Sequence, residues 1–262
     1  MALEPQGHLV VGAARLEYRL WGPDPGDAPT IVLLHEGLGC VALWRDFPER
    51  LAAATGLGVL AYSREGYGGS SGCALPRPLD YMQQEAEKSL PLVLERIGFR
   101  SGLLIGHSDG ASIAAVYAGR ARDRRVRGVV LMAPHFFTEP DGLASIAAVR
   151  AAYGTTDLRD RLARYHGNNV DCAFLGWSGA WLDPGFEAWN IEDCLDTLTS
   201  PVLAIQGRDD EYGSVRQVET VRARCIGGVE ALLLDACGHS PQRDQPEATL
   251  AAVASFAARI FA

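Results

Sequence analysis

Residues 102–121 read GLLIGHSDGASIAAVYAGRA, and the way this stretch is divided decides the fold. An apolar run suited to a buried strand ends at Gly106, and an alanine-rich run suited to a helix begins at Ala111. Between them stands G-x-S-x-G, with Ser108 flanked by Gly106 and Gly110. Two missing side chains allow a tight strand-to-helix turn. Such a turn holds the serine in a strained conformation with its oxygen exposed above a sheet. The bare pattern is short enough to arise by chance, so the surrounding elements must decide its meaning.

Working outward, apolar runs and amphipathic runs alternate. TIVLLHEG (30–37), LGVLAYSREGYGGSSG (57–72), RGVVLMAPH (127–135), SPVLAIQGRDD (200–210) and VEALLLDACGHS (229–240) each hold a strand-length apolar run followed by glycine and polar residues. Helical spacing occupies 42–55, 81–98, 215–227 and 246–261, with Pro91 expected to kink or divide the second of these. Residues 8–22 suit a hairpin broken at Gly12-Ala13. Uninterrupted apolar strands alternating with helices imply a mostly parallel sheet covered on both faces. The rhythm lapses over residues 134–200, which are rich in Trp, Tyr, Asn and Gly and contain helical pieces but no comparable β run. That stretch reads as a helical cap inserted into a core made of residues 1–133 and 201–262.

The 262 residues are 48% hydrophobic, enough for a sizeable core. A net charge of −8 leaves no basic field for nucleic acid. No apolar run approaches the roughly 20 residues of a membrane span, and MALEPQGHLV lacks the basic head and apolar middle of a signal peptide. The six cysteines are scattered with no CxxC pair, so we expect free thiols, several of them buried, and no metal site. A cytoplasmic location is the corresponding expectation.

In a sheet of this kind, ligands bind beyond the carboxyl ends of the strands. Every unusual polar cluster falls there: HEGLG (35–39), SREGYGGSS (63–71), GHSDG (106–110), GRDDEYG (207–213) and CGHSP (237–241). A serine needs a base to become a nucleophile, and the base needs an orienting acid. Asp209 and Asp210 follow one strand and His239 the next, giving the chain order Ser, Asp, His. The N–H groups of Asp109 and of Gly37 are placed to stabilise a tetrahedral oxyanion.

These segments resemble the α/β-hydrolase superfamily across nearly the whole chain. The resemblance implies an eight-stranded, mostly parallel sheet with helices on both faces and a small helical cap after the sixth strand. Its usual G-x-x-D spacing after the strand selects Asp210, counted from Gly207. CGHSP matches its histidine turn, and YSREGYGGSS resembles its D-x-R-G-x-G-x-S loop. That likeness implies structural roles for Arg64 and Ser70, with Arg64 also lining the pocket.

Two departures bear on substrate. The oxyanion loop reads His35-Glu36-Gly37 instead of His-Gly, and Asp109 follows the nucleophile. A like charge ~5 Å from the oxyanion, at an effective dielectric near ~20, costs about 3 kcal/mol, or about a hundredfold in rate. Either Glu36 and Asp109 turn away to pair with Arg64 or Arg45, or one is protonated, or one reads a cationic or hydroxyl-bearing substrate. In the cap, most aromatic residues are expected to pack against the sheet. Trp177 and Trp181, with His135 just past the sixth strand, are candidates to line an apolar pocket. The function expected is a serine hydrolase acting on a small carboxylic ester, lactone or thioester with an apolar or aromatic group, needing no cofactor or metal. Carbon–carbon bond hydrolysis and aminopeptidase-like amide cleavage use the same triad, and a non-catalytic small-molecule receptor is the alternative of another class.

Overall fold

The computed structural model describes residues 3–262. Eight strands form one sheet in the order β1-β2-β4-β3-β5-β6-β7-β8. They are β1 (Gln6–Val11), β2 (Ala14–Trp21), β3 (Thr30–Leu34), β4 (Gly58–Tyr62), β5 (Gly102–His107), β6 (Val126–Met132), β7 (Val202–Gly207) and β8 (Val229–Leu234). The β1–β2 hairpin turns at Gly12-Ala13, where Gly12 supplies φ 58°. β2 is antiparallel to β4, and every later pairing is parallel.

Alternate residues of each buried strand serve opposite faces, as the two-residue period of a strand requires. Val32, Leu34 and Leu104 join a core that includes Leu90 and Val93 of the helix Leu90–Arg96 and Ile113 of the helix Asp109–Ala121. Ile31, Leu33 and Ile105 join the opposite core with Leu51 of the helix Phe47–Thr55 and Phe256 of the helix Pro246–Ile260. Each such side chain contributes roughly 2 kcal/mol on burial. The helical stretch around Pro91 is divided as expected. A π-helical turn, Glu85–Ser89, separates Tyr81–Gln84 from Leu90–Arg96, because the proline lacks an N–H and its ring crowds the carbonyl four residues back.

Between β6 and β7 lie the helices Pro140–Thr155, Leu158–His166 and Val170–Trp181 with shorter 3₁₀ turns. Among the described residues this segment has no strand, only an isolated bridge between Phe137 and Asn190. Its aromatic residues pack largely on one another. Tyr153 stacks on Phe174 at 3.7 Å and Phe186 on Trp189 at 5.0 Å. The expectation of six free thiols is corrected here. Cys73, in the loop after β4, is disulfide-bonded to Cys172 in the helix Val170–Trp181, while Cys40, Cys194, Cys225 and Cys237 are free. The partners stand 99 residues apart, so sequence spacing carried no trace of the pairing. No helix among the described residues is long and apolar enough to cross a membrane.

The turn after β5 depends on backbone packed against backbone. A Cβ at Gly106 would strike the carbonyl of Gly110, and one at Gly110 would strike the carbonyl of Leu34 in β3. Gly154, by contrast, has open space around it. Gly110→Ala is therefore expected to cost about 3 kcal/mol, lowering the thermal midpoint by roughly 6–12 °C. Gly154→Ala should leave stability level or raise it by at most about 1 kcal/mol. Thermal unfolding of the two variants side by side checks the contrast.

Candidate active site

β5 delivers the chain to Ser108, and the helix Asp109–Ala121 carries it away. Ser108 has φ 53° and ψ −119°, a conformation unfavourable for any residue with a side chain. The surrounding hydrogen bonds hold it there. Its N–H donates to the Met132 carbonyl at 2.9 Å, and its carbonyl accepts from the Ala111 and Ser112 amides at 2.8 and 3.1 Å. Ser108 lines a cavity of about 280 Å³ at the carboxyl ends of the strands.

His239 reaches the same cavity from the loop after β8, and Asp210, from the loop after β7, meets its ring. Gly207 is packed so closely that a Cβ would strike the carbonyls of Cys237 and Gly238, which brings the two loops together. His239 Nδ1 lies 2.9 and 2.8 Å from the two Asp210 carboxylate oxygens. Asp210 also accepts the Tyr212 N–H at 2.8 Å and the Gln206 side-chain amide at 2.7 Å. Asp209, the other candidate acid, is exposed. A carboxylate oxygen accepts, so Nδ1 carries the proton and Nε2 keeps its lone pair. Burial disfavours the imidazolium, but the hydrogen bond and charge of Asp210 outweigh it, and the His239 pKa is raised. Ser108 and His239 line the same cavity without a direct hydrogen bond between them among the described residues.

The opposite wall is the loop after β3. Arg64, expected to line the pocket, is instead 1% exposed and lies beneath that loop. Its guanidinium donates to the His35 carbonyl and, at 3.1 Å, to the Glu36 carbonyl. Its backbone N–H donates to His35 Nε2 at 3.0 Å, and His35 Nδ1 in turn donates to the Glu36 carbonyl at 2.7 Å. Because a trans peptide is planar, fixing the Glu36 carbonyl toward Arg64 turns the Gly37 N–H the opposite way. Gly37 lines the cavity, and neither its amide nor that of Asp109 meets an acceptor among the described residues. Ser70, from the same glycine-rich loop, bonds the Ser63 carbonyl and the Glu17 amide.

The two unexpected carboxylates have different fates. Asp109 is fully buried, accepts from the Tyr81 hydroxyl, and lies 3.9 Å from Arg64. Burial raises its pKa against the pull of Arg64 and Tyr81. Glu36 stays on the cavity wall and pairs with neither Arg64 nor Arg45; its neighbour is His107 Nδ1 at 3.7 Å. Burial pushes its carboxyl up, but the hydrogen bond and charge of His107 and the charge of His35 prevail and lower the pKa to about 2.

His135, Trp177 and Trp181 all line the cavity with Ile146. Trp177 lies so close to Gly37 that a Cβ there would run into its indole ring. The Trp181 indole N–H donates to the Tyr81 hydroxyl at 3.0 Å, linking the helical segment to Asp109. His135 is 4% exposed, and its ring has no hydrogen-bond partner among the described residues. Burial and the nearby His239 lower its pKa to about 3. Three contributors escaped the sequence reading: His107, whose Nε2 lies 2.6 Å from the His239 carbonyl; Tyr212 beside the imidazole; and Arg243 at the rim. His107 occupied a variable position of the G-x-S-x-G motif, and the other two stood next to motif residues without matching any pattern. Among the described residues no group of three His, Cys, Asp or Glu is arranged to hold a metal ion.

The alpha/beta hydrolase family matches residues 31–253. The human (lyso)-N-acylphosphatidylethanolamine lipase is 31% identical over 115 residues, which is 44% of this chain and 33% of that protein, so the match spans about a third of the relative's length. Among solved structures, the enol-lactonase of Burkholderia xenovorans superposes with a TM-score of 0.72 at 21% identity, covering 95% of this chain and 99% of the lactonase. A carboxylesterase from Bacillus subtilis superposes with a TM-score of 0.70 at 22% identity, covering 96% and 90%. The shared fold and a match that runs from β3 to the last helix make this chain a member of the alpha/beta hydrolase family.

Proposed function

We propose that this protein hydrolyses a small carboxylic ester, lactone or thioester through an acyl-enzyme on Ser108. One observation carries the reading: the strained serine, the Asp210-bound imidazole and the unengaged Gly37 amide line a single cavity. The relatives named as lipase, lactonase and carboxylesterase support the same bond class. Residues 134–200 act in this reading as a cap over a core formed by 1–133 and 201–262. Trp177, Trp181 and Ile146 supply the apolar wall that selects an apolar or aromatic group.

In the first half-reaction Ser108 Oγ attacks the carbonyl carbon while His239 Nε2 takes the hydroxyl proton. The carbonyl oxygen becomes an oxyanion held by the Gly37 and Asp109 N–H groups. The tetrahedral intermediate collapses, the bond to the leaving oxygen or sulfur breaks, and His239 returns the proton to the departing group. Water then gives its proton to His239 and attacks the acyl carbon. Collapse expels Ser108, which recovers its proton and leaves the free acid. Asp210 holds the imidazole in the tautomer that this sequence needs. Arg64 acts one step removed, as a positioning residue that turns the Gly37 amide into the cavity.

Three outcomes test the reading. A fluorophosphonate probe should label Ser108 stoichiometrically, and Ser108→Ala should abolish both labelling and p-nitrophenyl ester turnover. Tight ligand binding with an unreactive serine would instead favour a receptor, and turnover of arylamides in preference to esters would favour the amidase alternative. The base must be neutral to accept a proton, and the His239 pKa is raised. The acid limb of the kcat/KM profile should therefore have its midpoint above about 6.5, the ordinary histidine value. Finally, Arg64→Lys loses the two-carbonyl grip. It should lower kcat by at least about tenfold with little change in KM, as expected when an oxyanion donor is misaligned; a change confined to KM would return Arg64 to the pocket wall.

A further inference from the structure

Beside the cavity runs a second cleft of about 310 Å³ that shares Glu36, Leu38 and Arg243 with it. Four arginines, Arg45, Arg161, Arg164 and Arg243, line this cleft against the single carboxylate of Glu36. In a chain of net charge −8, that local excess of cations is a marked reversal of sign. Arg161 and Arg243 pair locally, at 3.8 Å to the exposed Asp157 and at 3.3 Å to the half-buried Asp244. Arg45 and Arg164 make no ion pair among the described residues. Arg45 also holds a left-handed backbone, φ 55° and ψ −123°, where a glycine would be unstrained.

The cleft's other lining is apolar. The helix Leu158–His166 contributes Leu158, Leu162 and Tyr165, which faces solvent with 41% of its surface exposed, and Leu38 and Leu43 complete the wall. This helix is fixed directly over the oxyanion loop. His166, at its last residue, is buried; its Nδ1 accepts the Gly68 N–H at 3.1 Å and its Nε2 donates to the Leu38 carbonyl at 3.0 Å. The cleft is thus preformed and tied to the same loop that presents the Gly37 amide. The cavity's remaining rim carries Glu211 and Asp244.

We propose that the arginine cleft binds the phosphate of an amphiphilic, phosphate-bearing substrate whose ester or thioester enters the cavity beside Ser108. This assignment rests on the ester-hydrolase reading for its reactive end, and on the cleft alone for its anionic end. Guanidinium groups grip phosphate oxygens in charge-assisted pairs, the apolar wall takes the adjoining chain, and the Glu36 and Glu211 carboxylates on the cavity wall disfavour a phosphate at the reacting end.

Calorimetric titration of the full chain with hexyl phosphate, with hexanol as the neutral control, tests the cleft without depending on turnover. Hexyl phosphate should bind at least about tenfold more tightly than hexanol and weaken severalfold as ionic strength rises from about 0.01 M to about 0.15 M. The Arg45→Gln/Arg164→Gln variant, checked for an unchanged thermal midpoint, should lose that preference. Equal binding of the two probes, or a preference that survives in the double variant, overturns the proposal. Binding to vesicles rich in anionic phospholipid with no competition from hexyl phosphate also overturns it, in favour of a membrane surface. Fluorophosphonate labelling of Ser108 is read separately, so failure of the cleft and failure of the hydrolase reading are distinguishable.

Discussion

A buried guanidinium governs this site. Taking a cation the size of Arg64 out of water costs several kcal/mol unless its donors are satisfied. At 1% exposure it has to be surrounded by acceptors. The fold supplies them from three places: the His35 and Glu36 carbonyls from the loop after β3, the Asp109 carboxylate from the start of the helix after Ser108, and the face of Tyr67 at 5.0 Å. One desolvated charge therefore ties together the loop that bears Gly37 and the turn that bears Ser108. The same contact moderates Asp109, the carboxylate that the sequence placed next to a developing oxyanion.

Glu36 is handled differently, and the contrast is informative. Its backbone carbonyl points down to Arg64 while its carboxylate remains at the cavity, near His107. A Cβ at Gly39 would strike that carboxylate, so the short turn Glu36–Gly39 is built around it. Its charge stays beside Gly37 on the cavity wall, and in the proposed reaction it opposes negative charge on the reacting oxygen. Three of the cleft arginines, Arg45, Arg161 and Arg164, line the cleft alone, while Arg243 lines both it and the cavity.

The parts of this arrangement that the sequence discloses are those set by local rules. Strand runs such as TIVLL and GLLIGH announce themselves by composition, and Gly106 and Gly110 by the turn they permit. The G-x-x-D spacing of the superfamily, counted from Gly207, singled out Asp210, the aspartate that meets His239. What stayed hidden depends on pairs brought together only by topology. Cys73 meets Cys172 across 99 residues, and His166 reaches back to Leu38 across 128. The likeness to the D-x-R-G-x-G-x-S loop implied a structural Arg64 that also lines the pocket, yet nothing in SREGYGG reveals whether its side chain points up into the cavity or down beneath it. Arg45, Arg161, Arg164 and Arg243 lie on three separate segments, so no window of sequence shows them as one cluster.

The site also holds more imidazoles than a triad needs, and the choice among them is electrostatic. His107 and His135 lie 5.2 and 5.5 Å from the His239 ring, close enough to raise the question of which is the base. His107 faces the His239 carbonyl through Nε2, and its Nδ1 lies between the Gln242 amide at 3.1 Å and the Glu36 carboxylate at 3.7 Å, so its ring is held by the histidine loop and the Glu36 turn. His135 has an unengaged ring, but burial and the neighbouring imidazole hold its pKa near 3, which makes it a poor acceptor for a proton. His239 has a carboxylate within hydrogen-bond distance of Nδ1, at 2.8 Å, against 3.7 Å from His107 Nδ1 to Glu36, and its Nε2 is not engaged by the histidine loop. In the proposed reaction, general-base strength at this cavity is therefore set by the position of Asp210, three residues past the end of β7, more than by the presence of histidine.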